Sequence, residues 1–505
     1  MATPKTSFAS VLPEPSLRFG FGQSSPNPKE GLFLFGPLKE HNNPVDLRCG
    51  VVGTPKGIAG YRGWVNRISR AVAPPADSTT SVFYPGFREL FNCVWSSAPA
   101  AELPMSASDI STRLHRSDRH DAIHATVGLF ADAIGQFVNE DDRRVDIWFV
   151  VIPDEVFDLG RPKSVVPKDE RVQSEHLMNA RLAKKLLNRG PSLFPDDNKA
   201  AETYLYELDF HNQLKARLIK SRAITQVIRE STLIQDTEGA SKRRMQDAAS
   251  IAWNLSVSSF YKAGGRPWRL QDVRDDVCYV GLVFKRDMRT GDETYACCGA
   301  QMFLTSGEGM VFKGAPGNWF SPTTKEFHLS KQRAAEIASR IVSAYTSDVG
   351  RPPAELFIHG RTRFDQEEWD GFRSAMPEGT RVSGIRITKT DEFKLFRPGR
   401  MPVIRGTVVK ESDRVAYLWT SGFVPALSTY PGWEVPNPLR IEISRGDAQL
   451  PLVVSDVFQL TKLNFNACIY GDGLPVTLRF ADAIGEILTA APDIPEAPLP
   501  FRHYI

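Results

Sequence analysis

The chain has only six cysteines in 505 residues (Cys49, Cys93, Cys278, Cys297, Cys298 and Cys468), and none falls in a CxxC or other zinc spacing. Several lie in apolar, strand-like runs, so buried free thiols in a reducing cytosol are expected rather than a metal or disulfide scaffold. No run approaches the roughly 20 apolar residues of a membrane span, and no basic-then-apolar signal opens the chain, so the expected location is cytoplasmic. Excess charge is missing too: the formal balance is +3. Such a balance neither demands nor excludes nucleic acid, because a basic groove can sit inside an even total. The turn Gly53-Thr54-Pro55-Lys56-Gly57 lacks P-loop spacing and reads as a strand-to-helix connection. His120 and His124 have the spacing of a metal pair but no third ligand, so they read as surface or packing residues.

What is present is material for large cores, with 42% hydrophobic and 24% charged residues. The length suggests about two to four domains. Residues 1–45, rich in Pro, Gly, Ser and Phe, read as strands or extended arms lying across a larger body. From Leu47 the pattern alternates: a strand over 47–54, a helix over 61–72, a helix over 118–139 with Ser117 as N-cap, and a near-continuous apolar strand over 145–152. Alternation of this kind predicts an α/β layer fold. Residues 158–203 form a polar excursion with one helix, whose basic residues either touch a nucleic-acid backbone or stay solvated. From Asp276 a second α/β unit begins, with strands over 277–285, 296–304 and 309–313, a helix over 331–345 and a strand over 355–359. Further strands are expected over 381–389, 403–409, 414–418 and 440–443, and helices over 455–463 and 479–488.

One stretch concentrates polar chemistry. His211 and Lys215 stand four residues apart in a helical segment, and so share one face. Gln226 follows in an apolar run, and Lys262 closes a second helix just before Gly264-Gly265. Two ammoniums, an imidazole and an amide make a donor set suited to a phosphate. Taken singly, each is an ordinary surface or core residue. Their order, His-x-x-x-Lys, then Gln, then Lys-x-Gly-Gly-x-Pro-Trp, resembles the guide 5′-phosphate pocket of the MID domain of Argonaute proteins.

The resemblance extends along nearly the whole chain through GVVGTPKG, VDIWFVVIPDEVF, YKAGGRPW, ACCGAQMFL, ELFIHGRTRF and PVTLRFADAIGEILTA. It is closest to the short prokaryotic Argonautes encoded beside a TIR–APAZ protein. It implies an extended N-terminal segment (1–45), a Rossmann-like MID domain (46–275) and an RNase H-like PIWI domain (276–505). In active relatives an Asp follows a strand-one Gly by two residues; here that place is Val283. A second Asp position is His359, and the last is assigned to the Asn464–Asn466 stretch, with Asn466 in the acid's place. Two Mg²⁺ ions need several carboxylates, and valine offers none. Asp287, Glu326 and Asp365 fall outside the required places, so no cleavage is expected.

The resemblance further implies a guide RNA held by His211, Lys215, Gln226 and Lys262. A Mg²⁺ ion is shared between the guide phosphate and the carboxylate of Ile505. Backbone contacts are expected from Arg217, Lys220, Arg222, Lys389, Lys394, Arg397, Lys462 and Arg479. Arg361 and Arg363 either touch the target strand or form a solvated turn, and Trp268 and Trp369 read as core. Pairing with invader single-stranded DNA would drive oligomerisation of the heterodimer and NAD⁺ hydrolysis by the partner. A SIR2–APAZ partner is the alternative, as are a nuclease with displaced carboxylates and a binder of a small phosphorylated molecule. The loops 307–317 and 420–438 are candidates to move.

Overall fold

The computed structural model describes residues 9–39, 43–78, 81–174, 178–190, 192–234, 246–272, 274, 276–286, 295–304, 309–430, 432, 434–492, 494 and 499–505. Its first strand, Ala9–Val11 (β1), belongs to the larger of the two main sheets among the five in the described residues. The smaller sheet is all parallel: Cys49–Gly53 (β2), Ala101–Pro104 (β3), Ile147–Ile152 (β4) and Thr225–Arg229 (β5), in the order β3-β2-β4-β5. All six residues of β4 are buried, as its unbroken apolar run requires of a central parallel strand. Helix Pro55–Ile68 (α2) covers one face and Arg119–Glu140 (α3) the other, following α1 (Pro28–Phe35) near the N-terminus.

Local chemistry moves several boundaries from their expected places. Helix α2 starts at Pro55 because Thr54 accepts from the Gly57 N–H at 3.0 Å and Pro55 stands at its first position. Helix α3 is capped by Asp118, not Ser117, whose hydroxyl instead bonds Ser174 at 3.2 Å. The segment expected to be extended contains helix α1, because Asn27 caps it and Pro28 opens it. The polar excursion holds two short helices, Ala180–Arg189 (α4) and Pro195–Glu202 (α5).

Helices Phe210–Leu218 (α6) and Ala248–Lys262 (α7) lead to the second unit. There, Val277–Arg286 (β6), Tyr295–Phe303 (β7) and Gly309–Asn318 (β8) form an antiparallel meander. Helix Lys331–Val349 (α8) then crosses to Glu355–Gly360 (β9), parallel to β6, with Arg381–Lys389 (β10) parallel beyond it. The order β8-β7-β6-β9-β10 is that of an RNase H-like unit. Thr407–Lys410 (β11), Val415–Leu418 (β12) and Leu439–Arg445 (β13) extend it, with β1 on β11 at one edge and Leu499–Pro500 (β14) on β8 at the other. The expected loop at 309–317 is therefore strand, while residues 307–308 and Asp287 lie outside the described residues, as do residues 431 and 433 of the 420–438 loop.

Helix Leu450–Leu460 (α9) starts earlier than expected, with Pro451 tolerated in its first turn. The last expected helix is two, Val476–Arg479 (α10) and Ala481–Thr489 (α11), lying on β6. One apolar cluster runs from Phe149 through Trp268 and Phe465 to Ile385 and Phe458, so the two sheets share a core. Cys49, Cys93, Cys278 and Cys468 are buried free thiols; the side chains of Cys297 and Cys298 lie outside the described residues. Among the described residues no helix is long and apolar enough to cross a membrane.

Candidate functional site

The structure brings His211, Lys215, Gln226, Lys262 and Ile505 to one recess between the two sheets. Helix α6 places His211 and Lys215 one turn apart, with Asp209 capping it through the Asn212 N–H at 3.0 Å. Gln226 is the second residue of β5, and Lys262 is the last residue of α7. The closing residues of the chain, a 3-10 turn over Phe501–His503 followed by Tyr504 and Ile505, fold back into the same place and are mostly buried.

Lys215 and Lys262 are 3% and 2% exposed. Lys215 Nζ donates to the Ile505 oxygen at 2.7 Å and to the Thr225 carbonyl at 3.4 Å. Lys262 Nζ donates to that same Thr225 carbonyl at 3.2 Å and to Gln226 Oε1 at 2.7 Å. An ammonium has three donors, so each keeps one unused in these bonds. Neither has a carboxylate side-chain partner among the described residues. Two cations crowd one neutral oxygen, and the cost shows in their titration. Burial pushes the Lys215 pKa down to about 7. Burial, and then the Lys215 charge, push Lys262 well below its usual value.

His211 opens to solvent at the mouth of the recess although protein crowds its other sides. That crowding, then Lys215, push its pKa down against a bond to Asn212 Oδ1; Lys262 adds to the fall. His503 is pushed down to about 4 by burial and by Arg502, Lys215 and Arg222, which sets Arg222 beside the recess. A cleft of about 490 Å³ continues from His211 past Phe157, Arg161, Arg229 and Ile152. A second, of about 240 Å³, runs from Gln226 past Ser258, Asn254 and Asn466.

Ser258 was not singled out from the sequence. It stands one turn before Lys262 on α7, and that spacing was its signal. Its hydroxyl lies 3.2 Å from Gln226 Oε1 and 3.3 Å from Asn466 Oδ1. Asn466 therefore abuts α7 at the recess and does not stand in for a lost acid beside Val283 and His359, which corrects its expected place. Helix α10 lies over β6 and β9, and α11 over β6 and β7.

At those strands His359 is buried, 2.9 Å from Thr477 Oγ1, and burial pushes its pKa down to about 3. Val283 packs near Gly299 and Gly485. Two acids on α11 are engaged by neighbours: Asp482 by Arg361 at 2.9 Å, and Glu486 by Lys285 at 2.8 Å. Glu326 lies 3.6 Å from Arg386, and Asp365 caps the helix Gln366–Ser374.

The expected backbone-contacting cations divide. Lys389, Lys394, Arg397, Lys220 and Arg222 reach the surface. Arg479 is half-exposed on Asp472 at 2.8 Å, and Arg217 lies 3.0 Å from Asp132. Arg363 joins Glu442 at 3.0 Å. Lys462 is a correction: its ammonium is buried, bonded to Glu14 at 2.9 Å, the Pro26 carbonyl at 2.7 Å and the Tyr470 carbonyl. With Arg405 it clamps the N-terminal segment, because Glu14 bridges both cations. Trp268 and Trp369 are core, while His120 and His124 pack on Tyr204 and Tyr206.

Magnesium takes oxygen ligands in octahedral geometry and usually keeps several waters. In the recess the Ile505 and Thr225 oxygens already accept from ammoniums. Ile505 is the one residue here that would be left to hold a Mg²⁺ ion, and it would do so only alongside ligands the protein does not supply.

No protein-family model matches the chain, and no curated protein matches it. Solved structures do. The chain is similar to Clostridium butyricum Argonaute bound to a guide DNA and a 19-mer target DNA, with 16% identity, a TM-score of 0.62, and coverage of 96% of this chain and 53% of that one. A. aeolicus Argonaute matches at 13% identity and TM-score 0.55, covering 97% and 54%. Drosophila Piwi matches at 12% and 0.57, covering 95% and 54%. The chain spans about half the length of these structures. It has the Argonaute MID–PIWI fold.

Proposed function

We propose that this chain is the guide-binding, target-sensing subunit of a prokaryotic defence complex, with no cleavage chemistry of its own. The observation that carries the proposal is the pair of buried ammoniums sharing the Thr225 carbonyl, each with a donor unused in the bonds described. A phosphate supplies the missing negative charge. Charge-assisted bonds of this kind contribute about 1.5–3 kcal/mol each. The 5′-phosphate of a guide RNA sits on Lys215 and Lys262, with Gln226 as neutral donor and His211 at the mouth. Ile505 would be the residue to hold a Mg²⁺ ion, which would supply positive charge beside the phosphate.

Beyond the first nucleotide the protein holds backbone, and base pairing supplies sequence specificity. Lys220, Arg222, Lys389, Lys394, Arg397 and Arg479 are the surface cations for that task. The Clostridium butyricum protein, solved with guide and target DNA, supports a strand path along this fold. Absence of cleavage is supported by Val283 and by the buried, neutral His359 at the two strand positions.

The partner, a TIR–APAZ protein whose NAD⁺ hydrolysis follows target pairing and oligomerisation, rests on the sequence resemblance. Co-expression with the neighbouring gene product tests the whole reading. Bound nucleic acid is extracted and end-labelled with and without phosphatase. Short RNAs that label only after phosphatase, and NAD⁺ loss on adding complementary single-stranded DNA, are expected. If no nucleic acid copurifies and synthetic 5′-phosphorylated guides fail to bind, the proposal is overturned.

A further inference from the structure

The hydrogen bonds behind the recess have an order that the atom positions alone do not settle. Gln226 Oε1 lies 2.7 Å from Lys262 Nζ, and Ser258 Oγ lies 3.2 Å from the same Oε1 and 3.3 Å from Asn466 Oδ1. A serine hydroxyl has one proton to give. It cannot serve both amide oxygens, so one amide must present its nitrogen to Ser258. Gln226 cannot, because turning it would point its NH₂ at an ammonium. Asn466 can, since the two ends of an amide are interchangeable in outline. Its position also lets it turn: its side chain is exposed, and its backbone N–H is held by Asn464 Oδ1 at 2.9 Å.

We infer that Ser258 and Asn466 are positioning residues for the phosphate recess. The direction runs from Asn466 N–H to Ser258 Oγ, from Ser258 O–H to Gln226 Oε1, and from Lys262 N–H to that same oxygen. Two donors on one amide oxygen pin it against Lys262 and leave the Gln226 NH₂, which donates to the Val227 carbonyl at 3.2 Å, with its second N–H to meet an anion. A residue of the second α/β unit thereby sets a donor on the first, so the recess is complete only when the two units are docked. Chains of this kind polarise one another, and their members act as a unit.

The inference rests on the recess holding a 5′-phosphate, and the experiment separates the two. Binding of one oligonucleotide carrying either a 5′-phosphate or a 5′-hydroxyl is measured by fluorescence anisotropy with the full chain. The unmodified chain prefers the phosphorylated strand. Ser258→Ala weakens that strand roughly three- to tenfold, the size of one neutral hydrogen bond, and the hydroxyl strand less than twofold. Asn466→Ala, at an exposed position that tolerates truncation, moves the same ratio in the same direction by less. In a Gln226→Leu background both changes become silent, because their route to the phosphate is gone. If Ser258→Ala weakens both strands alike, or still acts without Gln226, the positioning role is overturned while the phosphate recess stands. If the unmodified chain shows no preference for the phosphate, the recess itself is misread and both fall.

Discussion

The recess around Lys215 and Lys262 and the cleft around Val283 and His359 both bury polar groups, yet they treat them in opposite ways. In the recess two ammoniums share one backbone carbonyl, with Lys262 adding an amide oxygen and Lys215 the oxygen of the chain-end Ile505, and burial drags their pKa values down. In the cleft His359 is neutral and bonded to Thr477, and Asp482 and Glu486 nearby have cationic partners. One site carries an unmet electrostatic demand; the other has met its demands internally. Two buried cations facing at most one counter-charge reduce stability, so their persistence points to a ligand. A satisfied cleft needs none.

The largest expected effect breaks the recess. Lys215→Met and Lys262→Met each weaken binding of a 5′-phosphorylated strand by on the order of ten- to a hundredfold, the size of a charge-assisted bond. Lys262→Met also raises the stability of the ligand-free chain by about 1–4 kcal/mol, because a desolvated charge is replaced by an apolar group of similar length, while Lys215→Met gains less because it leaves the Ile505 oxygen without its donor. Anisotropy and denaturant melts check the pair. Loss of binding together with loss of stability would mean that the lysines are structural.

The cleft predicts the reverse response. Val283 is 6% exposed and packs near Gly299 and Gly485. Val283→Asp puts an unpaired carboxylate there and lowers stability by roughly 2–4 kcal/mol, read from the denaturant midpoint. Binding of the phosphorylated strand by the protein that remains folded changes less than twofold. An aspartate accepted without cost would show that the cleft retains unmet positive charge, which would undo the contrast.

How far these two sites were legible beforehand follows from the range of the signals. The central strands were readable because apolar runs such as 147–152 and 356–358 mark buried parallel strands. His211, Lys215 and Lys262 were readable because helical spacing and a glycine stop are local patterns. Ser258 shared that local spacing and was passed over. Asn466 was misplaced because its partner, Ser258, lies 208 positions away, and no local pattern encodes such a contact. Lys462 looked like a surface cation because its counter-charge, Glu14, lies at the other end of the chain. Helix α1 was missed because a Pro- and Gly-rich composition masked the Asn27-Pro28 start signal.

A pH measurement sharpens the contrast without mutating the cleft. The Lys215 pKa is about 7 in the fold, against 10.5 ordinarily. Between these values the unfolded chain holds a proton that the folded chain lacks, so this group makes stability rise with pH, by up to about 1.4 kcal/mol per unit. The penalty is complete below pH 7. Glu207, pushed up to about 7 by burial and then by Asp209 and Glu486, has the opposite sign but acts below that point. The unmodified chain minus Lys215→Met, compared between pH 7.5 and 8.5, therefore reports Lys215 together with its coupling to Lys262 and leaves Glu207 out. A bound phosphate favours the charged amine, so the slope flattens in the complex and binding at pH 8 takes up protons, which calorimetry in buffers of different ionisation heat detects.

The smallest effect is expected where a charged pair sits at the surface of the cleft. Arg361 and Asp482 are paired at 2.9 Å with side chains 48% and 60% exposed. Solvent screens such a pair, and the side-chain entropy of holding it offsets most of the attraction. Arg361→Ala should shift stability by less than about 1 kcal/mol and leave affinity for the 5′-phosphorylated guide unchanged. The informative measurement is target binding by the guide-loaded chain over a salt series. If Arg361 only neutralises Asp482, the salt dependence of target affinity is the same with and without it. If Arg361 instead releases Asp482 to hold a target phosphate, its removal reduces the slope of log affinity against log salt by roughly 0.7 to 0.9, the value for one lost phosphate contact. The second result would turn the satisfied cleft into a site that reads the target strand, and would restrict the contrast drawn here to the ligand-free chain.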